Sequence, residues 1–178
     1  VVAGLPAPWE SEGFDREDMK LPDGHLRMIE AVACTNPNTV VVLLCGGVVE
    51  CPWEERVNAI LYMGLPGQAG GEAVADLLYG CANPSGKLAE SWPYRYEDVP
   101  SSELYGKTAD ALYQEGLYVG YRYYDKAGVP VRWPFGYGLS YTKFTYSNLT
   151  LSGDTVFVTV KNTGSIAGAE VVQLYVEA

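Results

Sequence analysis

The sequence is poor in metal-ligating side chains. It contains one histidine, His25, and its four cysteines show no Cys-x-x-Cys spacing. A zinc site needs closely spaced thiolates or imidazoles, so we expect neither a metal site nor any other cofactor. We interpret the cysteines as buried and reduced residues, which favours a reducing, cytoplasmic compartment.

Positive charge and long apolar runs are also scarce. The 178 residues include 12 Lys and Arg against 22 Asp and Glu, giving a net charge of −10. A surface this acidic repels phosphate backbones, which excludes nucleic acid as an expected partner. The longest apolar run, Val40 to Cys45, is far shorter than the roughly 20 residues of a membrane-spanning helix, so we expect no membrane partner. Hydrophobic residues still make up 48% of the chain, enough for a buried core.

The first ninety residues alternate between strand and helix patterns. Apolar runs rich in β-branched residues predict strands at the start of the chain, over Thr39–Cys45 and over Val57–Met63. Apolar residues at helical spacing predict one helix over Asp23–Thr35 and another after the loop Gly64–Gly71, capped by Gly80. This order is typical of an open, mostly parallel α/β sheet covered by helices.

A tyrosine-rich region follows Trp92. It has few helical patterns and many turn-forming residues, and it includes the aromatic run Gly116–Asp125. Tyrosine rings can stack on sugars, but we interpret the run as a packed linker between domains. We interpret Trp53, Trp92 and Trp133, which all lie beside prolines, as packing anchors.

Beyond Tyr141 the apolar residues alternate. The alternation over Thr155–Lys161 and over Val171–Val176 predicts antiparallel strands, about three in all. We therefore expect an α/β domain over residues 1–140, with the linker from about residue 93. The start of an antiparallel β-sandwich is expected over residues 141–178.

Two glycine-rich stretches are candidates for phosphate binding, and both fail the test. In Gly80–Leu88, five residues rather than four separate the glycines, and Leu88 stands where a Ser or Thr would bind Mg²⁺. Gly64–Gly71 lacks the G-x-G-x-x-G order and the acidic residue of a dinucleotide site. We interpret both stretches as turns and expect no nucleotide ligand.

An acidic loop follows the first predicted strand. It runs from Trp9 to Arg16 and holds the carboxylates Glu10, Glu12 and Asp15 beside two aromatic rings. Ligand sites in α/β sheets lie at such carboxyl ends of strands, and a carboxyl group beside aromatic surface is suited to donate a proton. Most runs of charge are solvated faces, however, so the composition alone also fits a solvated acidic loop.

Six strings of the sequence together resemble the C-terminal half of family 3 glycoside hydrolases, the β-glucosidase and β-xylosidase group. They occur in the family's order and cover nearly the whole chain. The strings are Glu10–Arg16 (ESEGFDR), Gly67–Leu78, Asn83–Leu88, Glu115–Asp125, Pro134–Thr142 and Val160–Tyr175.

The resemblance implies an enzyme of three parts. A (β/α)₈-type barrel supplies a nucleophilic Asp, an α/β sandwich supplies the general acid/base, and a fibronectin type III-like domain packs beside them. The implied substrate is a β-linked oligosaccharide or glycoside, hydrolysed with retention through a covalent glycosyl-enzyme.

The resemblance also implies roles for residues of the acidic loop. In relatives with this arrangement the acid/base is the Glu of a Glu-Gly-Phe/Tyr-Asp-Arg string, which corresponds to Glu12. Glu10 lies two residues before that position and ranks below it. Asp15 and Arg16 match the same string and are expected to hold the loop.

No stretch of the chain matches the family's nucleophile motif. The chain also begins Val1-Val2-Ala3-Gly4, without Met, so we expect it to belong to a longer polypeptide whose barrel lies elsewhere. By itself the chain should then be inactive. The alternative is a non-catalytic carbohydrate-binding or interaction module on the same scaffold, in which replacing Glu12 would leave the activity of the whole polypeptide unchanged.

Overall fold

The computed structural model describes residues 1–107 and 109–176. Within them the α-helices are α1 (Asp23–Thr35), α2 (Gly70–Leu78) and α3 (Tyr121–Ala127). The strands are β1 (Val2–Gly4), β2 (Val40–Leu44), β3 (Ala59–Tyr62), β4 (Trp92–Pro93), β5 (Val131–Trp133), β6 (Phe144–Ser152) and β7 (Thr155–Asn162). They form a parallel sheet of order β1-β2-β3, an antiparallel pair β4-β5 and an antiparallel hairpin β6-β7. The predicted fold class, a parallel α/β sheet followed by antiparallel strands, is confirmed.

Strand β2 is the centre of the parallel sheet. It pairs with β1 on one side and β3 on the other, and Val41 and Leu43 are both 0% exposed. A strand buried on both faces requires a continuous apolar run, which is what the sequence provides here. Helix α1 buries Ile29 against the same core and ends where Asn36 and Pro37 follow it.

The end of β1 approaches β2 closely at Gly4. A Cβ atom at Gly4 would overlap the carbonyl oxygen of Leu44, so the approach requires glycine at this position. Nδ1 of His25, on α1, lies 2.9 Å from the carbonyl oxygen of Gly4 and 3.3 Å from its amide nitrogen. Through either backbone group, this histidine fixes the end of β1 against α1.

Three aromatic residues join the parallel sheet to the β4-β5 pair. The ring of Trp92 lies edge-on to Tyr62 with centroids 5.2 Å apart, and 5.4 Å from the ring of Trp133. Trp92 is 1% exposed, and Trp53 is equally part of the buried core. The prediction that the tryptophans are packing anchors is confirmed.

The stretch Gly80–Leu88, after α2, makes contacts within the fold. The ammonium of Lys87 donates to the carbonyl of Gly138 at 2.7 Å and lies 3.5 Å from a carboxylate oxygen of Glu170. The side chain of Asn83 bonds to the Ser140 hydroxyl and accepts a hydrogen bond from the Tyr141 amide. These contacts tie the α/β part of the chain to the segment that leads into the β6-β7 hairpin.

Two details of the predicted secondary structure differ from the observed one. Among the described residues, Val171–Val176 pair with no strand, so the third antiparallel strand was wrongly predicted. The Tyr175 ring instead packs edge-on to Tyr121 and Phe135, at 5.7 and 6.3 Å between centroids. Helix α3 begins within the aromatic run predicted as a linker, and it is bounded by Gly120 and Gly128, both at positive φ.

The cysteines fall into two classes. Cys45 and Cys51 are fully buried, whereas Cys34 and Cys81 are exposed, so the prediction that all four are buried was wrong for the latter pair. Cys34 lies in the last turn of α1 and Cys81 directly after the Gly80 turn, both on the solvent side. Burial raises the pKa of Cys45 and of Cys51 to about 12.

Across residues 1–107 and 109–176, the structure contains no helix with the length and apolar character needed to cross a membrane.

We expect Trp92→Ala to lower the free energy of unfolding by about 3–5 kcal/mol, because it removes the ring that joins two sheets. Trp92→Phe should cost less, since it keeps a ring and removes an indole N–H that has no hydrogen-bond partner among the described residues. Urea denaturation followed by tryptophan fluorescence and circular dichroism measures both. Equal losses for the two variants would contradict the proposed packing role.

We expect an alkylating reagent such as iodoacetamide to label Cys34 and Cys81 at pH 8 and to leave Cys45 and Cys51 unlabelled. The thiolate is the reactive form, and pKa values of about 12 leave the two buried thiols protonated at that pH. Mass spectrometry of tryptic peptides reads out the labelling, and the same reaction in denaturant, where all four should react, is the control. Rapid labelling of Cys45 in the folded chain would contradict the structure.

Candidate active site

The carboxyl ends of β1, β2 and β3 meet at one edge of the parallel sheet. The acidic loop Trp9–Arg16 follows β1, the loop Cys45–Val48 follows β2, and Met63–Leu65 follow β3. In open α/β sheets this edge is where ligands bind. The structure therefore places the acidic loop where the sequence predicted it.

Glu10 ties the acidic loop to the end of β2. Its Oε1 accepts a hydrogen bond from the Gly46 amide at 2.8 Å, and the residue is partly buried. A Cβ atom at Gly46 would lie 3.4 Å from that oxygen and 3.2 Å from the Leu65 side chain, so little space separates the loops. The Glu10 carboxylate is thus used to position the loop.

Arg16 makes the second connection to the same loop. Its Nη2 donates to the carbonyl oxygen of Val48 at 3.1 Å and lies beside Gly47. Its Nη1 is buried and has no hydrogen-bond partner within the described part of the chain. The guanidinium therefore lies between the acidic loop and the end of β2, and its Nη1 donors are unpaired within the described residues.

Asp15 is an exposed residue of the acidic loop. Its carboxylate acts on the Tyr105 hydroxyl group as a hydrogen-bond acceptor and a negative charge, and this is the main reason that the pKa of Tyr105 is raised. Tyr105 belongs to the turn-rich segment after β4, about 90 residues further along the chain. The hydrogen bonds that attach the acidic loop are thus those of Glu10 and Arg16.

Glu12 lies between these attachments and is itself exposed to solvent. Among the residues that the structure describes, its carboxylate has no hydrogen-bond or ion-pair partner. The following Gly13 has a φ of +85°, which turns the chain sharply after Glu12. Phe14 is 78% exposed and lies on the same loop. The four predicted site residues thus lie on one loop. Within the described residues, the Glu12 carboxylate on that loop is exposed and has no partner.

A further carboxyl group, Glu90, contributes to the electrostatics of this edge. Its pKa is raised because desolvation by neighbouring groups outweighs the attraction of Arg16, although much of the residue remains exposed. Glu10, Arg16 and Glu90 also act on the Cys45 thiol, whose burial is the largest cause of its raised pKa. At this edge of the sheet, the positive charge of Arg16 therefore lies close to the carboxylates of Glu10 and Glu90.

Sequence reasoning missed Glu90 and Tyr105. Glu90 lies in the apolar stretch Leu88–Trp92, and a lone carboxylate there was a usable indication of a special environment. Tyr105 is one of 14 tyrosines, and nothing in its local sequence marks it as the partner of Asp15.

The arrangement can present a carboxyl group on a fixed loop to a molecule outside it. Within the described residues, no group of three or more His, Cys, Asp or Glu side chains is placed to hold a metal ion. The available chemistry is therefore that of carboxylates and one guanidinium, which can donate protons, accept them and bind hydroxyl groups.

We expect Glu10→Ala to lower the free energy of unfolding by about 1 kcal/mol, because the Gly46 amide loses its acceptor. Glu12→Ala is the matched control and should change it by less than about 0.5 kcal/mol, since its side chain is exposed and unpaired. Urea denaturation of the two variants beside the original chain makes the comparison. A larger loss for Glu12→Ala than for Glu10→Ala would contradict the assignment of Glu10 as the anchor.

Comparison with known proteins gives a consistent result. The family model of the glycosyl hydrolase family 3 C-terminal domain matches residues 1–121. The thermostable β-glucosidase B of Acetivibrio thermocellus is 50% identical over 186 residues, covering 99% of this chain and 25% of that protein. The probable β-glucosidase I of Aspergillus flavus is 47% identical over 190 residues, covering 99% of this chain and 23% of that protein. The chain thus spans about a quarter of the length of these relatives.

Solved structures show the same similarity. A family 3 β-glucosidase from Bifidobacterium adolescentis superimposes with a TM-score of 0.87 at 42% identity, covering 94% of this chain and 26% of that one. A β-glucosidase from Kluyveromyces marxianus in complex with glucose gives a TM-score of 0.86 at 43% identity, covering 92% and 20% of the two chains. The chain belongs to glycosyl hydrolase family 3, and its residues 1–121 correspond to the C-terminal domain of that family.

Proposed function

We propose that this chain supplies the general acid/base and part of the active-site wall of a retaining β-glycosidase, most simply a β-glucosidase. The observation that carries the proposal is the difference between Glu12 and its neighbours. Glu10 and Arg16 are each hydrogen-bonded to the loop that follows β2, while the Glu12 carboxylate is exposed and unpaired among the described residues. A loop fixed on both sides of one free carboxyl group is suited to present that group to a substrate.

In the proposed reaction Glu12 acts twice. As a carboxylic acid it first protonates the departing glycosidic oxygen, and as a carboxylate it then takes a proton from the water that releases the sugar. The nucleophile is an Asp of a barrel domain that these residues do not include. Retention requires the two carboxyl groups to be about 5–5.5 Å apart, so the barrel must approach the exposed side of the acidic loop.

The other residues of the loop have positioning roles in this proposal. Glu10 and Arg16 hold the loop against the end of β2. The Nη1 of Arg16 is buried and has no hydrogen-bond partner among the described residues. The names of the relatives support the substrate class, because those proteins are β-glucosidases. The antiparallel strands after residue 141 are proposed to begin a fibronectin type III-like domain.

We expect Glu12→Ala, made in the complete polypeptide that carries this chain, to lower kcat/KM for poor leaving groups by about 10²–10⁴-fold. The loss should shrink for aryl β-glucosides with activated leaving groups, which depart without protonation. Azide should accelerate turnover of the variant, because a small anion replaces water in attacking the glycosyl-enzyme without needing a base. Steady-state kinetics over a series of leaving-group pKa values measures these effects.

The matched control is Glu17→Ala, another exposed carboxylate directly after the string, which should leave the kinetics unchanged. If Glu12→Ala behaves like the unmodified polypeptide across the series, the proton donor lies elsewhere. The chain would then be a carbohydrate-binding or structural module of the enzyme.

A further inference from the structure

An open concavity is formed by helix α3 and the segment before it. Its volume is about 350 Å³, within the range of about 300–1,000 Å³ that is usual for small-molecule sites. Its lining includes two aromatic rings, Tyr118 and Tyr123, and three polar groups, Gln114, Glu115 and Lys126. None of these residues belongs to the acidic loop that holds Glu12.

We propose that this concavity, here called the Tyr118 pocket, binds one sugar unit of a saccharide. The choice of a saccharide as the ligand class rests on the proposed function. The location of the site rests on the shape and the lining residues of the concavity.

The chemistry of the Tyr118 pocket suits a neutral, polyhydroxylated ring. Tyrosine rings offer flat apolar faces that can cover the C–H surface of a pyranose. The amide of Gln114, the carboxylate of Glu115 and the ammonium of Lys126 supply donors and acceptors for hydroxyl groups. Because Glu115 and Lys126 carry opposite charges, the lining favours neither an anion nor a cation.

The Tyr123 ring is packed before any ligand arrives, whereas the Tyr118 side chain is 48% exposed. The Tyr123 ring packs edge-on to the buried Tyr124, with centroids 5.3 Å apart. The Tyr118 amide donates to the Glu115 carbonyl at 2.9 Å, which places both side chains on one turn. The Lys126 ammonium lies 6.0 Å from the centroid of the Tyr118 ring, so a donor stands beside an aromatic face. Groups ordered in advance lose less conformational entropy on binding.

Backbone continuity links the Tyr118 pocket to the proposed catalytic edge. Pro100 lines the pocket, and Tyr105 of the same segment is close enough to Asp15 in the acidic loop for that carboxylate to raise its pKa. The sugar unit bound there has two possible sources, the distal end of the substrate or a separate saccharide chain. The experiment distinguishes them.

The test is a titration of the ¹⁵N-labelled chain with cellobiose and cellotetraose, followed by NMR chemical-shift changes. We expect saturable shifts that map to the Tyr118 pocket. Tyr118→Ala should weaken binding by about tenfold, the upper range for loss of one aromatic contact, while Tyr118→Phe should keep most of the affinity. The matched control is Tyr113→Ala, which removes a tyrosine of the same segment that is 97% exposed and lies outside the lining.

Three results would overturn the proposal: no saturable binding at millimolar ligand, shifts that map elsewhere, or equal weakening by Tyr113→Ala and Tyr118→Ala. The mapping on the unmodified chain decides the question even if Tyr118→Ala does not fold. The kinetics of Glu12→Ala in the complete polypeptide tests the catalytic proposal, and this titration tests the pocket. Failure of the catalytic proposal and failure of the pocket are therefore seen in separate measurements.

Kinetics of the complete polypeptide identifies the source of the sugar. If the pocket holds the distal end of the substrate, Tyr118→Ala should raise KM for cellotetraose and leave KM and kcat for an aryl β-glucoside unchanged. If it holds a separate chain, binding is weakened in the titration while both sets of kinetic constants stay the same.

Discussion

The close approach of β1 to β2 is the constraint on which the acidic loop depends. Only glycine at position 4 lets the end of β1 lie against the Leu44 carbonyl, and His25 fixes that end from α1. The chain then leaves the sheet directly beside the end of β2, so Glu10 can reach the Gly46 amide. A larger residue at Gly4 would move β1 away from β2, and the position of the proposed acid/base would move with it.

Local sequence patterns were sufficient for the α/β part of the fold. Helix α1 begins and ends at the predicted residues, because its apolar spacing lies between Pro22 and Asn36-Pro37, which both interrupt helices. Strand β2 was predicted within one residue at each end, because a fully buried strand has an unmistakable continuous apolar run. The placement of the acidic loop follows from these elements, since the topology of a parallel sheet determines which loops meet.

Contacts between distant parts of the chain could not be predicted in this way. Alternation over Val171–Val176 expresses a local preference, but a strand also needs a partner for its backbone groups, and within the described residues Tyr175 packs against Tyr121 and Phe135 instead. Three of the seven residues of helix α3 are tyrosines, which are mediocre helix formers, so its pattern indicated a linker. Tyr105 and Asp15, whose carboxylate raises the Tyr105 pKa, are 90 positions apart in the chain, and no spacing rule connects them.

The proposed division of labour explains why the acid/base carboxylate is exposed in this chain. A carboxylic acid donates a proton best where its charged form is poorly solvated, and the acidic loop is open to solvent within the described residues. In the proposed enzyme the missing desolvation comes from the bound substrate and from the barrel that covers the loop. The chain contributes the position of the carboxyl group through Glu10 and Arg16, and the substrate and the barrel contribute the environment. The position of the carboxyl group and its desolvated environment come together only when a substrate is bound between the acidic loop and the barrel. Proton donation would then be efficient only when a substrate is in place.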